Sequence, residues 1–153
     1  MTMLQVDFHF NSPDKDTYLC RLLRKASAQG KRVGVWGPEE LINKLGQTLW
    51  QLKPSDFVSH CQLSDPPHLV KLSSVLLSPE WAELTATPKL DAILSLSELP
   101  PPDFKGVARL IEVVGPQEPD KASARQRWKH YTQLGFTIHR HDLSVPAAVL
   151  LKS

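Results

Sequence analysis

The first residues of the chain alternate between apolar and polar side chains. In residues 4–10 every second side chain is apolar, and Gln5, Asp7 and His9 occupy the positions between them. Successive side chains of a strand point to opposite faces, so the pattern predicts a strand with one buried face. Its polar second face favours a position near the edge of a sheet, where water reaches that face.

Strand and helix patterns alternate along the rest of the chain. Apolar residues recur with helical spacing in residues 16–29 and again after Pro38, and residues 31–36 have the composition of a short strand. Further strands are predicted at 69–77, 90–96, 107–114 and 136–143, and a helix at 120–134 with Asp120 as its N-cap. This order predicts an α/β fold, a single three-layer domain whose mixed, largely parallel sheet is flanked by helices.

The length of 153 residues suits one domain. We expect this domain to occupy residues 1–143, followed by an apolar tail of uncertain structure at 144–153. Residues 55–67 have the composition of a loop, and residues 78–88 fit a single helical turn that holds Trp81.

Composition excludes several classes of protein. Hydrophobic residues make up 41% and charged residues 22%, with a net charge of +2, which is typical of a folded domain and not of a polycation or an acidic tail protein. No apolar run approaches the roughly 18–20 residues that span a bilayer, so we expect no membrane partner. Two cysteines are too few for a disulfide framework, and we expect a cytoplasmic location.

The motifs of nucleotide binding and catalysis are missing. The turn after the first predicted strand, Asn11-Ser12-Pro13-Asp14, holds no glycine, and no phosphate-binding loop occurs elsewhere. The fold is therefore expected to be Rossmann-like without a nucleotide site. No spacing of histidines and cysteines gives a convincing metal site, and no nucleophile motif is present. We expect no cofactor, no metal and no catalytic activity.

One predicted helix carries a basic stripe. Lys121, Arg125 and Lys129 are four residues apart, so they lie along one side of the helix. Trp128 falls at the border of this stripe, and Ala124 and Tyr131 lie further round, toward the core.

Three interpretations of this stripe are open. An acidic peptide with an apolar end could place its carboxylates on the basic groups and its apolar side chain against Trp128. Single-stranded nucleic acid could stack its bases on Trp128 while the basic groups follow its phosphates. In the third interpretation the stripe is only a solvated face and Trp128 belongs to the core.

The same helix resembles a known family. Ala124-Arg125-Gln126-Arg127-Trp128-Lys129-His130-Tyr131, followed by Gly135-Phe136, is similar to the signature helix of the chi subunit of bacterial DNA polymerase III holoenzyme. Leu49-Trp50 with Phe57-Val58 and His60, the strand at 90–96, and Glu112-Val113-Val114 match other segments of that family, in order, from about residue 3 to residue 143. Trp128 stands where many relatives have tyrosine, and Ser59 where relatives often have proline.

The resemblance implies a non-catalytic replication adaptor of the clamp-loader complex, located at the replisome. Its partners would be the psi subunit and the acidic C-terminal tail of single-stranded-DNA-binding protein, through which it would meet DNA indirectly. Lys121, Arg125 and Lys129 would hold the carboxylates of the tail, and Trp128, Trp50 and Phe57 would enclose its apolar end. The first strand, the region of Trp81 and the tail at 145–151 are the candidates for contact with psi. The alternative function is direct binding of single-stranded nucleic acid by the helix at 120–134.

Overall fold

Strands and helices alternate along the chain in the computed structural model, which describes residues 4–51 and 59–143. The strands are β1 (Gln5–Phe10), β2 (Val33–Trp36), β3 (His60–Gln62), β4 (Val75–Ser78), β5 (Ala92–Ser95), β6 (Arg109–Val113) and β7 (Thr137–Asp142). The helices are α1 (Lys15–Ala28), α2 (Glu39–Trp50), α3 (Pro67–Leu72), α4 (Trp81–Thr85) and α5 (Glu118–Gln133).

The strands form one sheet in the order β3-β4-β2-β5-β6-β1-β7. Every pairing within the described residues is parallel. The predicted α/β class is confirmed, and the sheet is parallel throughout where the sequence analysis expected a mixed one. β3 and β7 form its two edges, so that strands distant in sequence become neighbours at the β7 end.

Helices cover both faces of the sheet, as the predicted three layers require. On one face, Leu23 of α1 and Leu49 of α2 belong to a buried core with β2, β4 and β5. On the other face, Leu84 of α4 and Tyr131 of α5 belong to a second core that includes Phe8 of β1. Helices α2 and α5 therefore lie on opposite faces of the sheet.

Strand β1 differs from the prediction, because both of its faces are buried. Asp7 is 1% exposed and His9 is 8% exposed, since β1 lies between β6 and β7. Arg109 on β6 forms an ion pair with Asp7, and Gln5 donates to it at 3.2 Å. Burial acts to raise the pKa of Asp7, but these hydrogen bonds and the Arg109 charge outweigh it and lower that pKa. Internal partners, not water, satisfy the Asp7 carboxylate.

The middle of the chain shows the other departures. The first part of the strand predicted at 69–77 is helical, because helix α3 occupies residues 67–72, and the strand β4 follows the break at Ser73. β3 lies inside the predicted loop at 55–67, and at three residues it is too short for periodicity to detect. The predicted helical turn with Trp81 is confirmed as α4.

The start of α5 also differs. The helix begins at Glu118, so Asp120 lies in its first turn and is not the N-cap. Its carboxylate instead accepts from the Gly115 backbone N–H at 2.7 Å and from Lys15 at 3.1 Å. The helix is thereby tied to the end of β6 and to α1.

Candidate functional site on helix α5

The inner side of α5 is fixed by a buried carboxylate on β6. The Arg127 Nε donates to the two carboxylate oxygens of Glu112 at 2.9 and 3.0 Å, and the Tyr131 hydroxyl donates to Glu112 at 2.7 Å. Arg127 is 3% exposed, and Glu112 and Tyr131 are still more deeply buried. Two segments that the sequence analysis matched separately, the helix motif and Glu112-Val113-Val114, therefore meet in one network.

A second set of contacts anchors the same arginine. Its Nη1 donates to the backbone carbonyl of Glu98 at 2.9 Å and to the hydroxyl of Ser123 at 2.6 Å. Burial raises the pKa of Glu112 to about 6, although Arg127 and Tyr131 act to lower it. Burial and the Glu112 carboxylate together raise the pKa of Tyr131, so its hydroxyl remains a donor. These bonds set the rotation of α5 and so decide which side chains face outward.

The outward side chains border a groove between α5 and the β1–β7 end of the sheet. The groove has a volume of about 420 Å³. Its lining residues are Phe8, Phe10, Asn11, Val114, Lys121, Ala124, Arg125, Trp128 and Arg140. Of the predicted site residues, the structure thus brings Lys121, Arg125 and Trp128 together.

The groove is cationic at its rims and apolar at its floor. Three of its nine lining residues are cations and none is a carboxylate. Arg125 pairs with the Glu118 carboxylate at 3.7 Å, but both side chains are exposed, and such pairs contribute little. An anion that enters the groove therefore meets three cations, and no carboxylate of the groove lining competes with it for them.

Trp128 is half-buried, and two side chains already pack against its ring. Its ring centroid lies 5.3 Å from that of Phe8, and the guanidinium carbon of Arg140 lies 5.2 Å from the Trp128 ring. The indole is therefore part of the groove wall, as predicted, and is also held in place by the strands beneath it.

The other predicted residues lie elsewhere. Lys129 is exposed on α5, one turn beyond the groove, and does not line it. Trp50 ends α2 on the opposite face of the sheet, where its ring contacts His60 on the edge strand β3. The expectation that Trp50 and Trp128 enclose the same apolar group is wrong, because α2 and α5 cover different faces and opposite ends of the sheet. Phe57 lies outside the described residues.

Sequence reasoning missed Arg140, Phe8 and Phe10 as groove residues. All three lie on strands, and the period-two alternation of 136–143 places Arg140 on the same face as Ile138. The signal was therefore present, but it becomes useful only once β7 is known to pair with β1 beside α5.

Other candidate chemistry is weak in the described part of the chain. Cys20 and Cys61 are buried, and burial raises the pKa of both thiols, which is unlike an activated nucleophile. The described residues contain no group of three or more ligands suited to a metal ion. None of their helices is long and apolar enough to cross a bilayer.

Comparison with family models identifies the family of this chain. The model of a family described as DNA polymerase III chi subunit, HolC, matches residues 3–139. The chain belongs to the DNA polymerase III chi subunit family. The match includes α5 and all but Arg140 of the groove, and it confirms the resemblance seen in the sequence. No curated protein matches the chain.

Family membership gives this chi-family chain a role as an accessory subunit of DNA polymerase III in DNA replication.

Proposed function

We propose that this protein is a non-catalytic adaptor that joins the polymerase III clamp-loader complex to single-stranded-DNA-binding protein. The groove on α5 binds the acidic C-terminal tail of that protein, and a separate surface binds the psi subunit. Contact with DNA is then indirect.

One observation carries the first half of this proposal. The groove combines an apolar floor, formed by Phe8, Phe10 and Ala124, with Lys121 and Arg125 at its rim and no carboxylate among its lining residues. An acidic peptide with an apolar end has the complementary chemistry, because its side chain fills the floor while its carboxylates accept from the rim.

The expected affinity follows from the free energy of the charged hydrogen bonds and from the cost of ordering the tail. Each charged hydrogen bond contributes about 1.5–3 kcal/mol, and ordering a flexible tail offsets a good part of that gain. We therefore expect a dissociation constant in the micromolar range that rises with salt, since exposed charges are screened within about 10 Å at 0.1 M.

Direct binding of single-stranded DNA is the second candidate. It requires bases to stack on Trp128, whose ring is already in contact with Phe8 and Arg140. A net charge of only +2 also provides little long-range attraction for a polyanion. Both observations favour the peptide.

A paired titration tests the first half. The full chain is titrated with a labelled peptide of four aspartates followed by a C-terminal phenylalanine, and separately with a labelled single-stranded oligonucleotide. Arg125→Ala should weaken peptide binding about tenfold or more, since it removes a charge-assisted bond. Lys25→Ala, an exposed cation on the opposite face of the sheet, is the matched control. Tighter binding of the oligonucleotide than of the peptide, or equal effects of the two variants, contradicts the proposal.

The psi contact requires an apolar surface that leaves the groove open. β1 lies inside the sheet and Trp81 is 4% exposed, so neither forms such a surface. The tail at 145–151 lies outside the described residues. By contrast, Trp50 is 68% exposed and Leu69 is 42% exposed, and both line a groove of about 500 Å³ beside the edge strand β3. We assign psi to this surface, at the β3 edge of the sheet, opposite to the β7 edge beside α5.

Copurification with psi tests this assignment. The double variant Trp50→Ala and Leu69→Ala should weaken psi binding about tenfold, since it removes two exposed apolar anchors, and should leave peptide binding unchanged. Leu99→Ala is the control, because Leu99 is 72% exposed and lines neither groove. If the double variant keeps its fold and its full affinity for psi, this surface is not the psi site.

A further inference from the structure

Arg140 reaches the groove from a different element than the other cations. It lies on β7, the edge strand beside β1, whereas Lys121 and Arg125 lie on α5. It belongs to no part of the helix motif, and the family match ends one residue before it. The groove nevertheless has this third cation on the wall that faces α5.

The environment of Arg140 favours binding of an anion. Its side chain is exposed, and within residues 4–51 and 59–143 it forms no ion pair with a carboxylate. Its guanidinium lies over the Trp128 ring at 5.2 Å, and a cation held on an aromatic face loses less freedom when it binds a ligand. The five N–H donors of the guanidinium are arranged for a carboxylate.

A merely structural role fits these observations less well. Trp128 is already packed on Phe8, at 5.3 Å between ring centroids, so the wall does not depend on a cation above it. Arg127 shows what a structural arginine looks like in this protein, because it is 3% exposed and bonded to Glu112 and Glu98.

We infer that Arg140 is a specificity-determining residue of the groove: it binds one carboxylate of the acidic partner from β7 while Arg125 binds another from α5. This inference rests on the proposed function of the groove. Two guanidinium groups, those of Arg125 and Arg140, then require two carboxylates. The groove therefore selects segments that carry at least two carboxylates beside the apolar residue.

The test measures binding of labelled peptides by fluorescence anisotropy. The first peptide has four aspartates before a C-terminal phenylalanine, and in further peptides the aspartates are replaced by asparagine one at a time and then all together. The proteins are the full chain, Arg140→Gln, Arg140→Lys and, as a matched loss of one charge on the opposite face, Lys25→Gln.

We expect Arg140→Gln to weaken binding of the four-aspartate peptide about tenfold, the scale of one charge-assisted bond, and Lys25→Gln to have little effect. Arg140→Lys should retain part of the affinity, since it keeps the charge and loses the two-bond geometry. For at least one single-asparagine peptide, and for the all-asparagine peptide, the loss caused by Arg140→Gln should be much smaller.

Three results would overturn the inference in distinguishable ways. If the unaltered chain binds no acidic peptide, the proposed function itself fails. If it binds and Arg140→Gln has no effect, only the role of Arg140 fails. If Arg140→Gln weakens all peptides equally, the all-asparagine peptide included, the residue selects no aspartate of the segment and the inference fails.

Discussion

The two sides of helix α5 carry the same type of charged residue in opposite environments. Arg125 and Arg127 are two positions apart, yet Arg127 is buried against Glu112 and Arg125 is exposed at the rim of the groove. A buried arginine must be paired, because an unpaired charge in the interior is costly. An exposed arginine without a strong partner keeps its donors for a ligand. The contrast teaches that one side of the helix fixes its orientation, while the other side presents exposed donors to the groove, which is where we propose that the partner binds.

The largest expected effect comes from the inner side. Arg127→Ala leaves the Glu112 carboxylate buried without its cation and should lower the free energy of unfolding by about 3–5 kcal/mol. Urea unfolding followed by circular dichroism measures this loss. Arg125→Ala is the matched variant, and its unfolding free energy should stay within about 0.5 kcal/mol of the unaltered chain. Similar losses in the two variants would remove the distinction between the two sides.

A similar contrast separates two histidines of neighbouring strands, His9 on β1, which is buried, and His139 on β7, which is exposed. Burial, with a smaller contribution from His141, lowers the pKa of His9 from 6.5 to about 4. Between these values the unfolded chain binds the proton and the folded chain does not, so stability is full above pH 6.5 and is lost as the pH falls toward 4. His9 alone should account for a loss that approaches about 3 kcal/mol. Glu112, whose pKa is raised to about 6, acts in the opposite direction, because its folded form takes up a proton more readily than its unfolded form.

Unfolding free energies measured from pH 7.5 to pH 4.5 test this expectation. His9→Gln should remove the loss of stability that His9 causes at acid pH, because glutamine keeps hydrogen-bonding groups in the interior without a titrating one. His139→Gln, the same substitution at an exposed histidine of the neighbouring strand, is the matched control. An unchanged slope in His9→Gln would show that another group causes the acid sensitivity.

The smallest expected effect is on the affinity for the acidic peptide, and it distinguishes two lysines on the outer side of α5. Lys121 lines the groove and Lys129 does not. Lys121→Ala should weaken binding of the acidic peptide severalfold, and Lys129→Ala less than about twofold at 0.15 M salt, because exposed charges beyond the contact are screened. Isothermal titration at two salt concentrations measures both. An equal or larger effect of Lys129→Ala would extend the site one turn along the helix.

Much of the fold was predictable because its patterns are local. Helical spacing located α1 and α2, and largely apolar segments located β5 and β6, since strands of a parallel sheet are buried on both faces. Strand β1 was misjudged because its pairing is not local. Its polar face contains Asp7, and only the pairing of β1 with β6 brings Arg109 to the Asp7 carboxylate. The site was half predicted, because helix geometry gives Lys121, Arg125 and Trp128, while Arg140 and Phe8 come from other elements.

The sequence by itself determined the alternation of strands and helices, the basic stripe of α5 and the family. Each of these depends on residues close together in the chain or on motifs in a fixed order. The tertiary structure alone decided that Arg127 meets Glu112, that Arg140 lines the same groove as Arg125, and that Trp50 lies on the opposite face of the sheet. The reason is that the order of strands in the sheet places β1, separated from β7 by more than one hundred residues, directly beside it, and no local period encodes that pairing.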